Sequence, residues 1–308
     1  MRKIFVLAVA TILVTLVLIP LGGYVRQSGS GLACPDWPLC YGQLGPPLDQ
    51  EGTLIEFSHR MVALVVSLLA LGVGIIAIRR RRESGFILKA AIVAGVGIVA
   101  QVGLGAAVVL VELQPFLIMA HLAMAFGFLA TMIIISLAAQ RASQPSPEVL
   151  PTASAGEKAL LIGTLASLIA LLLTGAFAGG SGAGMGCQGW PLCNDQFIPG
   201  GDFAAKWQVW IIYAHRLLTI STAGLVFVLA WRWRRHEVPA VRKTAIQAAI
   251  LMIVQIGLGA FNPLFLIPVA VAVAHLAVAA IIWTHVVVVA ALSLDLLPST
   301  SMKAPSPR

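Results

Sequence analysis

Charge is scarce in this sequence. Only 10% of its 308 residues are Asp, Glu, Lys or Arg, 59% are hydrophobic, and the mean hydropathy is +0.95. That balance excludes an ordinary soluble domain. Polar interruptions are so few that eight apolar runs reach the roughly 20 residues a bilayer crossing needs: about 4–25, 54–78, 87–111, 115–138, 158–179, 207–231, 243–262 and 266–292. The third and fourth runs, and the seventh and eighth, are parted by a few residues around Glu112–Gln114 and Asn262–Pro263, which predicts tight hairpins. A cleavable leader is not expected either. Arg2-Lys3 precede an apolar run too long for a signal core, and no small-residue cleavage site follows closely, so the first run is expected to stay as a span. Leu32-Ala33-Cys34 lies too far past that run for lipidation to be expected.

What charge there is falls on one side. The N-terminus, 79–89, 141–158, 232–243 and the C-terminus carry 2, 5, 2, 5 and 2 Lys and Arg, leaving only Arg26, Arg60, Lys206 and Arg216 for the other side. The positive-inside rule then places both termini in the cytoplasm of a multi-pass protein of the cell membrane. Topology accounts for the net charge of +8, so the lipid bilayer and no nucleic acid is the expected partner of that charge.

The chain also repeats itself. Cys34-Pro-Asp-Trp-Pro-Leu-Cys40 returns as Cys187-Gln-Gly-Trp-Pro-Leu-Cys193, and Glu56-Phe-Ser-His59-Arg60 as Ile212-Tyr-Ala-His215-Arg216. Gln101-Val-Gly-Leu-Gly-Ala106 returns as Gln255-Ile-Gly-Leu-Gly-Ala260, and Ala120-His121-Leu-Ala123 as Ala274-His275-Leu-Ala277. The offsets are 153, 156, 154 and 154 residues. Residues 1–140 and 158–295 therefore each hold four spans, joined by a Pro-rich cytoplasmic linker at 141–157 and followed by a cytoplasmic tail at 296–308. An even number of spans per copy predicts an all-α membrane protein of two pseudo-symmetric four-helix bundles, related by an axis along the membrane normal. Gly22, Ser28, Gly29 and Gly31 align with Gly175, Ser181, Gly182 and Gly184, and these glycines are expected to turn the chain tightly at the membrane surface.

There are four cysteines, one pair in each large outside loop. An oxidising exterior favours the disulfides Cys34–Cys40 and Cys187–Cys193, as staples or as strained, reducible bonds. No histidine stands at zinc spacing beside either pair. Of six histidines, His236 and His285 lie in or near basic cytoplasmic ends. His59, His121, His215 and His275 sit on spans two, four, six and eight, at a similar expected depth of roughly 8–14 Å from the outside. A lone histidine in a span is commonly a packing residue, but four in register at one level point to function. Two imidazoles facing across an apolar slot are bis-axial haem ligands. Non-haem metals usually bring carboxylates, and Glu56 is the only one at this level.

Arg60 and Arg216 each follow a histidine and either snorkel to headgroups or pair with haem propionates. Gln101 and Gln255 are expected to hydrogen-bond across close helix contacts. Asymmetry separates the copies: Glu56 stands one turn before His59 where the second copy has Ile212 or Tyr213, and Gly179 aligns with Arg26. The extra carboxylate marks the first half as the reaction site and Glu56 as a proton acceptor or charge stabiliser. The plainer alternative is an i,i+4 pair of Glu56 with Arg60.

On these motifs the chain resembles the haem A synthase family over its whole length. The resemblance implies oxidation of the C8 methyl of haem O to a formyl group by successive hydroxylations, giving haem A. It implies haem B as cofactor on His215 and His275 with Arg216 beside it. Haem O would bind at His59 and His121, with Arg60 and Arg26, and Glu56 would match the family's essential glutamate. Haem O synthase and cytochrome oxidase assembly factors are the implied partners; the electron acceptor is not implied by any residue. Two other readings use the same features. A di-haem electron carrier would want four histidines, though trans-membrane transfer favours ligands at different depths. A membrane thiol oxidoreductase would use the cysteines and leave the histidines idle.

Overall fold

The structure is a computed structural model that describes residues 1–47, 49–144, 150–151 and 153–298, with Phe203 described without its side chain. Residues 145–149 of the expected linker and 299–308 of the expected tail lie outside the described residues. Among the described residues eight helices are long and apolar enough to cross a membrane: α1 (Arg2–Gln27), α2 (Glu51–Arg79), α3 (Gly85–Leu110), α4 (Pro115–Arg141), α5 (Ala155–Gly180), α6 (Trp207–Trp233), α7 (Pro239–Leu264) and α8 (Val269–Ser293). Local sequence fixes their starts. Ser84 accepts from the Ile87 N–H, and Ser154 with Glu157 closes a capping box at α5. Pro115 and Pro239 open α4 and α7, where a missing N–H leaves no bond unmade. Among the described residues the only strand-like pairing is one isolated bridge in each disulfide loop, Cys40 with Gln43 and Cys193 with Gln196.

The α7–α8 hairpin differs from expectation. Pro263 lies inside α7, and the chain turns at Phe265–Pro268. In the last helical turn a proline forfeits only its bond to the Gly259 carbonyl, too little to end the helix early. The turn itself is the same in both halves. Glu112 and Leu113, then Leu266 and Ile267, adopt left-handed φ values of 53, 59, 58 and 55°. Leu113 N–H bonds the Val108 carbonyl at 2.8 Å and Ile267 N–H the Asn262 carbonyl at 2.7 Å.

Packing closes each half into a ring. In the first half α1 packs on α2, α2 on α3, α3 on α4 and α4 on α1; the second half repeats this with α5 to α8. The halves meet through α1 with α8, α4 with α5, and α4 with α8. Exchanging the halves maps each of these contacts onto another or onto itself, which is the signature of a pseudo-two-fold axis beside α4 and α8. These two helices are accordingly the most buried. A core around Ile19, Phe126, Leu129, Val226 and Trp283 joins the halves, and the Trp283 indole N–H donates to the Phe126 carbonyl at 3.0 Å.

Candidate functional site

Helix order in the rings puts α2 diagonal to α4 and α6 diagonal to α8, so the four histidines stand in facing pairs. His59 and His215 lie eight residues into their helices, and His121 and His275 six. At 1.5 Å per residue both pairs lie ~9–12 Å below the helix starts. His59 and His121 thus share one helix ring and one level, and His215 and His275 the other. Few other positions on these helices are fully buried at this level. Buried positions on α2 skip from Glu56 to Val66, and on α6 from Val209 to Thr222. On α4 they begin at Phe126 and on α8 at Ala279, beyond the histidine in each case.

Each imidazole is seated on a glycine of the neighbouring helix. A Cβ added at Gly22, Gly105, Gly175 or Gly259 would stand 2.9, 3.2, 3.0 or 3.0 Å from the Cε1 of His59, His121, His215 or His275. Any larger residue would push the ring from its place. Gly22 and Gly175 thus lie within α1 and α5 and make room for a ring, rather than turning the chain. The turning role falls to Gly29 and Gly182, with φ of 74 and 71°. Gly31 and Gly184 do neither: they receive the side chains of Leu113 and Ile267 from the hairpin turns.

Hydrogen bonds hold the rings unequally. Gln101 Nε2 lies 3.4 Å from His121 Nε2, and Gln255 Nε2 3.1 Å from His275 Nε2, so both glutamines reach across the helix contact as expected. Their Oε1 atoms are buried without a partner, as are Nδ1 of His59, His121 and His275. His215 differs, because Thr174 Oγ1 lies 3.2 Å from its Nδ1. Two imidazoles at one level on diagonal helices, with polar atoms left unpaired around them, would suit a haem held by one imidazole from each helix. Among the described residues no group of three or more His, Cys, Asp or Glu is arranged to hold a bare metal ion. His236 and His285 are occupied locally, by the Val238 N–H and near the Ile281 carbonyl.

Above each pair lies a disulfide loop, Cys34–Cys40 and Cys187–Cys193, whose sulfurs are buried. Both loops carry a cis peptide before proline, at Trp37-Pro38 and Trp190-Pro191. Arg60 and Arg216 serve these loops. Arg60 donates to the carbonyls of Cys34, Asp36, Pro38 and Leu39, and Arg216 to those of Cys187, Gly189, Pro191 and Leu192. With its side chain only 11% exposed, Arg60 does not snorkel to headgroups. Glu56 sits beneath the first loop, 3% exposed. Its Oε2 accepts the Cys34 N–H at 2.8 Å and its Oε1 pairs with Arg60 at 2.5 Å. Ile212, its counterpart, packs instead against the apolar cluster of Cys187, Cys193 and Val209. The Glu56–Arg60 pair is therefore real, but buried rather than solvated. Arg26 points away from the first slot and donates to the carbonyls of Gly179 and Gly180 at the end of α5.

From sequence Gly22 and Gly175 read as turning glycines and Gly105 and Gly259 only as part of a repeated motif; neither the seating role of all four nor Thr174 was foreseen. The seats had a signal, since Gly22 and Gly105 recur as Gly175 and Gly259 in step with the histidines. Thr174 had none, because its counterpart Leu21 breaks the repeat.

Residues 5–287 match the model of a family described as cytochrome oxidase assembly protein. The chain is 33% identical over 276 residues to the haem A synthase of Symbiobacterium thermophilum, covering 86% of this chain and 87% of the relative. It is 29% identical over 252 residues to that of Shouchella clausii, covering 82% of each, and 26% identical over 308 residues to that of Shewanella oneidensis, covering 86% of this chain and 89% of the relative.

Proposed function

The chain belongs to the haem A synthase family, the multi-pass membrane oxidoreductases that convert haem O to haem A, and we propose that its two halves divide that work. In this reading residues 1–140 bind haem O between His59 and His121, and residues 158–295 hold haem B between His215 and His275. Bound there, haem B supplies one-electron redox chemistry. The observation that carries the division is Glu56: among the described residues the one buried carboxylate at this level stands over the first pair, and an isoleucine replaces it over the second.

The chemistry asks for such a group. Turning the C8 methyl into a formyl group is a four-electron oxidation of the carbon that replaces two of its three hydrogens with a doubly bonded oxygen, so protons must leave the reacting centre. Glu56 stands one helical turn from His59, fixed by the Cys34 N–H and charge-balanced by Arg60. Held this way, its carboxylate takes up a proton at Oε1 or Oε2 beside the reacting methyl, and the Arg60 contact limits the cost of its buried charge. His59 and His121 orient the substrate so that the methyl meets Glu56, and the glycine seats keep both rings in that pose. The loops exclude water from above, held down by Arg60 and Arg216. Charge distribution supports a topology with these loops outside the cell membrane and both termini in the cytoplasm. Haem O and haem A, both carrying a long apolar tail, then enter and leave through the lipid-facing helices. Haem O synthase and the assembly factors of the oxidase are the partners this traffic implies.

The test is conversion: purified protein given haem O should yield haem A by chromatography, and a Glu56→Gln variant should not. Conversion at the normal rate by that variant would remove the ground for assigning the first half to substrate.

A further inference from the structure

We infer that Thr174 is the positioning residue that makes the second site a retention site, and that the leucine at position 21 leaves the first site exchangeable. The inference rests on the proposed placing of haem B at His215 and His275.

Thr174 Oγ1 lies 3.0 Å from the carbonyl oxygens of both Ala170 and Leu171, one turn back on α5, and 3.2 Å from His215 Nδ1. A hydroxyl has one hydrogen. Directed at those carbonyls, it leaves the oxygen only the role of acceptor toward the imidazole. His215 is thereby fixed with its proton on Nδ1. The lone pair is then on Nε2, the atom a bound iron would require. A hydrogen bond of this kind fixes tautomer and ring orientation and raises the basicity of the ligating nitrogen.

The first half lacks the device. Leu21 stands where Thr174 does, 153 residues earlier, next to Gly22, which seats His59 as Gly175 seats His215. The Nδ1 of His59 is buried with no hydrogen-bond partner among the described residues, so no hydrogen bond at that atom selects its tautomer. The other two histidines do not separate the halves, because Gln101 and Gln255 meet them in the same way. One hydroxyl is therefore the difference between the ligand shells of the two pairs. A resident cofactor needs a ligand fixed in advance; a substrate that must depart as product does not.

The experiment uses the full-length protein in detergent or nanodiscs and reads haem release to excess apomyoglobin, with the low-spin haem spectrum alongside. Thr174→Val, which keeps the shape and removes the hydroxyl, should release haem B roughly 10–100-fold faster and perturb its spectrum. Thr174→Ser should restore slow release. Leu21→Thr should slow the release of haem from the first site, measured as haem O or haem A copurifying with the protein. Unchanged release from Thr174→Val together with unchanged copurification in Leu21→Thr overturns the inference, while haem loss on replacing His215 leaves the placing of haem B intact. Haem B retained after replacement of His215 overturns the placing itself. If Thr174→Val fails to accumulate, the Leu21→Thr measurement decides alone.

Discussion

Arg26 donates to the carbonyl oxygen of Gly179, the residue that occupies its own position in the other half. A residue near a two-fold axis meets its mate, and two arginines there would bring like charges into one space. Only one of the pair can be Arg, and the other must be small and offer backbone. The partner carbonyls are those at the end of α5, where acceptors are left over and the helix dipole is negative. Arg26 is thus unique for an architectural reason, and its lack of a counterpart does not mark the half that reacts.

Arg26→Met should loosen the joint between the halves. Hydrogen bonds to a charged group contribute about 1.5–3 kcal/mol, and a loss of that order should lower the thermal midpoint measurably. Gly179→Arg should be worse, since it adds a second guanidinium at the axis. Equal thermal stability of the wild type and Arg26→Met would show that the joint is held by apolar packing alone.

The glycine seats make a prediction with an internal control. Gly105→Ala and Gly259→Ala should displace His121 and His275, because the added Cβ would lie 3.2 and 3.0 Å from each ring. Gly103 and Gly257, two residues away in the same Gln-x-Gly-Leu-Gly motif, have nothing within 4 Å. Alanine there should be tolerated. Optical spectra of the four purified variants distinguish seating from a general need for small residues: if all four behave alike, the seats are not specific.

Glu56→Gln keeps an acceptor for the Cys34 N–H and removes the charge that pairs with Arg60. Accumulation and haem B content should stay near normal while haem A output falls by about 100-fold or more, within the range of general acid–base catalysis. Hydroxylated haem O should build up if the later steps suffer more than the first. A fall in protein level that matches the fall in output would assign Glu56 to the loop and not to the chemistry.

The first disulfide loop should be insensitive to pH until strongly acid conditions. Asp36 is half-buried, and its carboxylate accepts the Tyr41 and Gly42 N–H groups at 2.6 and 2.7 Å. The Gly42 bond, then that of Tyr41, hold its pKa below the ordinary 3.8. A depressed folded pKa means the ordering is fully present above the ordinary value and lost as pH falls through the folded one. Corrected hydrogen exchange at Tyr41 and Gly42 should therefore be constant from neutral pH down to that range. Faster exchange beginning well above it would contradict this.

Much of this was legible from sequence because the chain writes it twice. Eight spans, two halves, the cysteine pairs and the four histidines follow from hydropathy and from repeat offsets that hardly vary. Contacts between unlike positions were not legible. Nothing in the repeat says that Gly22 supports His59, or that Arg60 clamps carbonyls 21–26 residues away. The end of α7 was misplaced because proline reads as a breaker, although one lost bond in a last turn hardly weakens a helix. Thr174 was invisible because repeat analysis looks for agreement, and its meaning lies in a disagreement with Leu21.

The central claim is that the two histidine pairs do different work. It is tested most directly by purifying the four variants His59→Met, His121→Met, His215→Met and His275→Met and identifying the haems each retains by chromatography. His215→Met and His275→Met should lose haem B or alter its low-spin spectrum. His59→Met and His121→Met should keep haem B and fail to convert haem O. Haem B undisturbed in both second-half variants, or lost equally in all four, would contradict the account.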